Sequence, residues 1–170
     1  MISVVRGRLY DQNADGILRP MRSDLAPVSV AGRDLVEAAG SILASKLEQL
    51  GTVPVGGAVV TPSGALESEF VIHIVVSAPD EPESPAAVQK ALGNGLRRAT
   101  DWELESLAVP PMGGGVGRMD AAEPARTLLE ILFNHLDEGT KPLDLRIVVG
   151  TEYEEELFGN LIAEMAEARS

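Results

Sequence analysis

Leu107-Ala108-Val109-Pro110-Pro111-Met112-Gly113-Gly114-Gly115-Val116-Gly117-Arg118-Met119 decides how this 170-residue chain is read. A short apolar run suited to a buried strand ends in two prolines. A loop with four glycines in five positions follows, and an amphipathic helical pattern begins beyond it. Strand, glycine loop and helix in that order let backbone N–H groups approach a phosphate with no side chains in the way, and the helix dipole favours negative charge. The same composition also serves a plain surface loop, so this segment leaves both readings open.

The flanking chain alternates strands and helices. Ile2 to Val5 reads as a strand, Asp11 to Asp15 as a turn, and Gly16 to Leu18 as a second, short strand. From Ala31 to Leu50 the apolar residues Leu35, Ala39, Ile42, Leu43, Leu47 and Leu50 recur at helical spacing, and Gly51 stops that helix. Ala58 to Thr61 and Phe70 to Val76 are continuous β-branched runs, which predicts strands covered on both faces. Pro79 to Pro85 is an acidic, proline-rich loop, and helices follow over Ala86 to Trp102 and Asp120 to Leu136. Leu145 to Val149 is a last strand, and Glu154 to Ala168 a last helix. This order predicts an α/β fold, a three-layer α/β/α sandwich on a mixed, mostly parallel sheet, with residues 1–170 as one domain. Ligands of such sheets bind beyond the carboxyl ends of the strands, which is where the glycine loop falls.

Composition narrows the function classes. The net charge of −12, from 26 acidic and 14 basic residues, argues against general nucleic-acid binding, which needs cations to neutralise phosphates. A small anion held by local amides and arginines stays compatible with it. Cysteine is absent, and His73 and His135 lie far apart, so no disulfide and no zinc site is expected. Mean hydropathy is +0.08, with no signal-peptide pattern and no membrane-length apolar run, so cytoplasmic residence is the expectation. Arg6, Arg8, Arg19, Arg22 and Arg33 gather near the start, as ordinary surface charge or as an anion grip.

Several segments, in order, resemble the macro domain family. Val55-Gly56-Gly57-Ala58-Val59-Val60-Thr61-Pro62-Ser63-Gly64-Ala65-Leu66 is similar to that family's Gly, Ala, Thr and Gly segment before its central strand. Phe70-Val71-Ile72-His73-Ile74-Val75 resembles its histidine-bearing strand, and Leu92-Gly93-Asn94-Gly95-Leu96 the helix after it. Val109 to Gly117 resembles its diphosphate-wrapping loop, and Val30-Ala31-Gly32 before Glu37-Ala38-Ala39-Gly40 the end of its first glycine loop. The resemblance spans nearly the whole chain. It implies binding of ADP-ribose or a related nucleotide diphosphate, free or on an ADP-ribosylated protein, without a cofactor or a metal. The ligand-binding residues it implies are Arg8, Leu9, Val30, Ala31, Gly32, Met112, Gly113, Gly114, Gly115, Val116, Gly117 and Tyr153.

The departures fall on the ligand side. The family opens with Gly-Asp-Ile, whose aspartate receives the adenine amino group; here Gly7-Arg8-Leu9 stands there, and a guanidinium carries donors only. Arg19-Pro20-Met21-Arg22 replaces Asn-Ala-Ala-Asn, and Val28-Ser29 replaces glycines. Arg8, Arg19 and Arg22 suit a highly charged ligand, and equally suit ion pairs with Asp11, Asp15 or Asp24. The catalytic aspartate of hydrolytic members is missing near Ala31 and Gly32, which leans the reading away from an enzyme. Asp24 and Asp34 are the weak candidates for a hydrolase, and a cleft filled by Arg19 and Arg22 would suit a protein-interaction module. His73 reads as a structural core histidine, His135 as a dipole-compensating or surface group, and Trp102 as a packing residue. Ser63 lies outside any Gly-x-Ser-x-Gly elbow, and the Glu152 to Glu156 run reads as a solvated face.

Overall fold

The computed structural model describes residues 1–113 and 121–170. Its strands are β1 (Ile2–Arg6), β2 (Gly16–Arg22), β3 (Ala58–Pro62), β4 (Phe70–Ser77), β5 (Ser106–Val109) and β6 (Asp144–Val149). Its helices are α1 (Val30–Ala39), α2 (Ser41–Leu50), α3 (Pro85–Asp101), α4 (Ala122–Asp137) and α5 (Glu152–Ala168). The strands form one sheet in the order β1-β6-β5-β2-β4-β3, parallel throughout except for the antiparallel pair β3 and β4. This is the three-layer α/β/α architecture expected from the alternation of elements.

Side-chain parity along each strand assigns the two layers. On β4, Ile72, Ile74 and Val76 face Leu92 and Leu96 of α3, in a cluster that also takes in α4 and α5. Val71 and Val75 face the opposite side, with Leu35 of α1 and Leu43 and Leu47 of α2. A Cβ on Gly95 would lie 2.7 Å from Ile74 Cγ2 and 3.2 Å from Leu18 Cδ1. The glycine that weakens α3 by propensity is therefore what lets its backbone lie close to β2 and β4.

Four expectations are corrected. The helix expected from Ala31 to Leu50 is two helices, because Gly40 adopts φ 86 and ψ −168 and both ends α1 and begins α2. The apolar periodicity continues across the break, so sequence spacing cannot reveal it. β2 runs to Arg22 rather than Leu18, with Pro20 inside it. It pairs with β5 only at Gly16 and Ile17, so beyond Ile17 that flank has no strand partner, an edge condition under which a strand accepts proline. β3 is the half-buried edge strand and is not covered on both faces. His135 is buried and its Nε2 lies 3.0 Å from the Pro142 carbonyl oxygen, so it is no surface group.

Trp102 packs on Phe70 with ring centroids 4.8 Å apart. Ser63 Oγ donates to the Ser68 carbonyl, and that hydroxyl is a buried turn group. Among the described residues no helix is long and apolar enough to cross a membrane, and no group of three or more His, Asp or Glu residues could hold a metal ion.

Candidate functional site

The carboxyl ends of β1, β6 and β5 and the amino end of α1 enclose a cleft of about 390 Å³. Gly7, Arg8, Leu9 and Tyr10 form one wall, Ser29, Val30, Ala31 and Asp34 a second, Pro110 and Pro111 a third. Val148, Val149, Gly150 and Glu154 complete it. The volume lies within the range of roughly 300–1,000 Å³ usual for small-molecule sites.

The α1 wall follows from local chemistry. Ser29 is extended and its Oγ accepts the Gly32 N–H at 3.0 Å, which starts the helix at Val30. The Arg33 N–H closes on the Ser29 carbonyl oxygen at 3.1 Å. The Val30 and Ala31 N–H groups, ahead of the first intrahelical bonds, take no acceptor among the described residues. Two amide donors without an acceptor among the described residues thus stand at the positive end of a ten-residue helix whose first two residues line the cleft.

The opposite helix end is already satisfied. Thr151 Oγ1 caps the Glu154 N–H at 3.1 Å, and Glu154 Oε1 accepts from Gly150 N–H and Thr151 Oγ1, each at 3.2 Å. Glu154, read from sequence as part of a solvated face, lines the cleft while completing the cap of α5. Arg8 donates to the Tyr10 hydroxyl at 3.1 Å and pairs with no carboxylate among the described residues. Its remaining donors are open to oxygen acceptors.

Of the residues singled out in the sequence, Arg8, Leu9, Val30, Ala31 and Asp34 come together around the cleft. Gly32 lies one position further into α1, off the lining. Met112 and Gly113 line a separate cavity of about 50 Å³ against Pro85, Pro124 and Leu128. Tyr153 is exposed on the first turn of α5 and does not line the cleft. Gly114, Gly115, Val116 and Gly117 lie outside the described residues. Asp24 is also off the lining. Arg22 grips it through Nε–Oδ1 at 2.8 Å and Nη2–Oδ2 at 2.6 Å, and this ion pair holds its carboxyl down at about 2. Of the three ion-pair partners weighed for Arg22, Asp24 is the one it takes.

Arg19 is the largest departure from the surface-charge reading. It shares one face of β2 with Ile17 and Met21, sits opposite His73 of β4, and is 1% exposed. Its Nη1 lies 3.2 Å from His73 Nδ1, and His73 Nε2 lies 2.9 Å from Thr61 Oγ1. A guanidinium only donates, so Nδ1 accepts and Nε2 carries the proton toward Thr61. Burial, then the Arg19 charge, pushes the His73 pKa down to about 3, and burial lowers that of Arg19 to about 10. His73 is the structural histidine expected from the sequence. Neither Arg19 nor Arg22 lines the cleft, so neither fills it.

Comparison with known proteins agrees with this architecture. The family model "Macro domain" matches residues 27–128. An uncharacterized protein of Aeropyrum pernix is 34% identical over 131 residues, covering 74% of this chain and 67% of the relative. A macro domain-containing protein of Caldanaerobacter subterraneus is 24% identical over 170 residues, covering 96% and 97%. The Oceanobacillus iheyensis macrodomain solved with ADP superposes with a TM-score of 0.82 at 19% identity, over 97% of this chain and 91% of that one. A mutant of that macrodomain solved with ADPR gives a TM-score of 0.82 at 20% identity, over 96% and 92%.

Proposed function

This chain belongs to the macro domain family, and from that premise we propose that it binds ADP-ribose or a related nucleotide diphosphate in the cleft between α1 and the carboxyl ends of β1, β6 and β5. The observation that carries the reading is the pair of amides at Val30 and Ala31, without an acceptor among the described residues, at a helix N-terminus that lines a ligand-sized cleft. The diphosphate sits against those amides, and Arg8 adds charge-assisted donors to phosphate or ribose oxygens. Leu9, Tyr10, Pro110, Pro111 and Val148 supply the apolar wall for the rest of the nucleotide. Binding through backbone amides survives the loss of the family's asparagines, because it uses no side chain. The ADP and ADPR found with the Oceanobacillus iheyensis macrodomain support the ligand class.

Calorimetric titration with ADP-ribose, ADP and inorganic phosphate tests it. Binding of ADP-ribose on the order of micromolar, with ADP weaker and phosphate weakest, is the expected order. No heat with any of the three overturns the reading.

A second reading, hydrolysis of an ADP-ribosyl or phosphoester bond, rests on one observation. Asp34 places a carboxylate on the cleft lining, where it can serve as a general base. On this reading the wild type releases ADP-ribose from a modified protein, and Asp34→Asn releases it at least about tenfold more slowly with ADP-ribose affinity retained. Equal rates in the two proteins remove Asp34 from the chemistry.

A further inference from the structure

We infer that Arg19 is a positioning residue for the cleft: from beneath α1 it ties the β2–α1 loop and the first turn of α1 to the sheet, and so fixes the wall that presents the Val30 and Ala31 amides. The geometry is a four-way clasp. Arg19 Nε donates to the Gly32 carbonyl oxygen and Nη2 to the Leu25 carbonyl oxygen, each at 3.4 Å. Nη1 meets Met21 Sδ at 3.3 Å and His73 Nδ1 at 3.2 Å. One side chain therefore bridges β2, the loop, α1 and β4.

Both ends of the clasp lie on segments that need holding. Leu25 adopts φ 77, a left-handed conformation that a branched side chain rarely takes, and Arg19 binds the carbonyl of that residue. At Gly32 the helix comes into contact range of β2: an added Cβ would stand 3.3 Å from Ser29 Oγ, 3.7 Å from the Pro20 carbonyl oxygen and 3.8 Å from Arg19 Cγ. Gly32 is the third residue of α1, immediately after the two residues that line the cleft.

Packing alone does not account for a cation here. Arg19 is 1% exposed and pairs with no carboxylate among the described residues, so its desolvation opposes folding. An unbranched apolar side chain of similar length would fill the same space. What arginine alone supplies is a rigid fork of donors that reaches four acceptors at once.

The inference rests on the proposed ligand only for its affinity readout, so the test has a second arm that needs no ligand. Wild type, Arg19→Met and Arg19→Lys are compared by amide hydrogen exchange, thermal unfolding and ADP-ribose titration. In Arg19→Met the hydrogen-bonded amides of Leu25, Ala26, Gly32 and Arg33 exchange at least about tenfold faster, while those of β4 and α3 are unchanged. The melting temperature changes little, because relief of the buried charge offsets the acceptors left unpaired at His73, Leu25 and Gly32. ADP-ribose affinity falls about tenfold or more. Arg19→Lys keeps the charge without the fork and shows the same local loosening. Unchanged exchange at Leu25, Ala26, Gly32 and Arg33 overturns the inference, as does a uniform rise in exchange that follows a lowered melting temperature. Should Arg19→Met fail to fold, Arg19→Gln carries the same comparison. A wild type that binds no ADP-ribose sinks the ligand reading, and the exchange result still decides the role of Arg19.

Discussion

Ala31→Glu lowers ADP-ribose affinity about a hundredfold or more while leaving the melting temperature unchanged or raised. Ala31 is exposed on the first turn of α1, and its N–H is one of the two open donors at the cleft. An acid placed there is favoured by the helix dipole, so the fold gains or stays level. The same carboxylate competes for the amides that hold the diphosphate and repels it at short range. Stability and affinity therefore move apart, which general damage to the protein cannot produce. Ala31→Gln provides the uncharged control of similar size and loses less affinity. Equal losses in the two variants would show that bulk, rather than charge, is what the site refuses.

Acidification from pH 7 to pH 3 removes on the order of 4 kcal/mol of stability through His73 alone. Its pKa is about 3 in the folded protein against an ordinary value of 6.5, because the ring is fully buried and faces the Arg19 guanidinium. The unfolded chain therefore takes up the proton first as pH falls. The contribution is complete above about pH 6.5 and declines through the window down to about pH 3. Asp24 acts lower, because its folded pKa is about 2 against an ordinary 3.8, and its contribution is lost between those values, overlapping only the foot of the His73 window. Denaturant midpoints measured in steps from pH 7 to pH 3 give the readout. His73→Gln can accept from Arg19 and donate to Thr61 without titrating, so it flattens the curve over that window while lowering stability at pH 7. Parallel curves for wild type and His73→Gln would remove His73 from the acid limb.

The sequence made the scaffold readable because its signals are local. The apolar run Phe70 to Val76 reads as a strand covered on both sides, and it is β4, between β2 and β3 in the sheet. The helices read over Ala86 to Trp102, Asp120 to Leu136 and Glu154 to Ala168 likewise stand as α3, α4 and α5, within about two residues of those bounds. The break at Gly40 escaped because the buried stripe continues through it, from Leu35 and Ala39 to Leu43 and Leu47. The length of β2 escaped because its permission to contain Pro20 depends on where β5 parts from it, a property of the neighbour.

The cleft divides in the same way. Arg8, Leu9, Val30 and Ala31 were singled out by motif order and do line it, since turns and helix starts are written locally. Ser29 and Glu154 were not, although a Ser before a helix and a Thr-x-x-Glu pattern are cap signals in plain view. Arg19 was the hardest residue to read. Its burial follows from strand parity and from α1 lying across it, and neither is visible in an arginine beside a proline. Tyr153, an aromatic singled out near the last strand, is exposed on the first turn of α5 beside Glu154 of the cleft wall.

The most direct measurement of the central claim is an ¹⁵N-resolved NMR titration of the protein with ADP-ribose. The account predicts that the Val30 and Ala31 amides move among the furthest and saturate together with those of Gly7 to Tyr10 and Gly150, while α3 stays still. Val30 and Ala31 amides that do not move at saturating ligand, or shifts confined to the cavity beside Pro85 and Pro124, would contradict it.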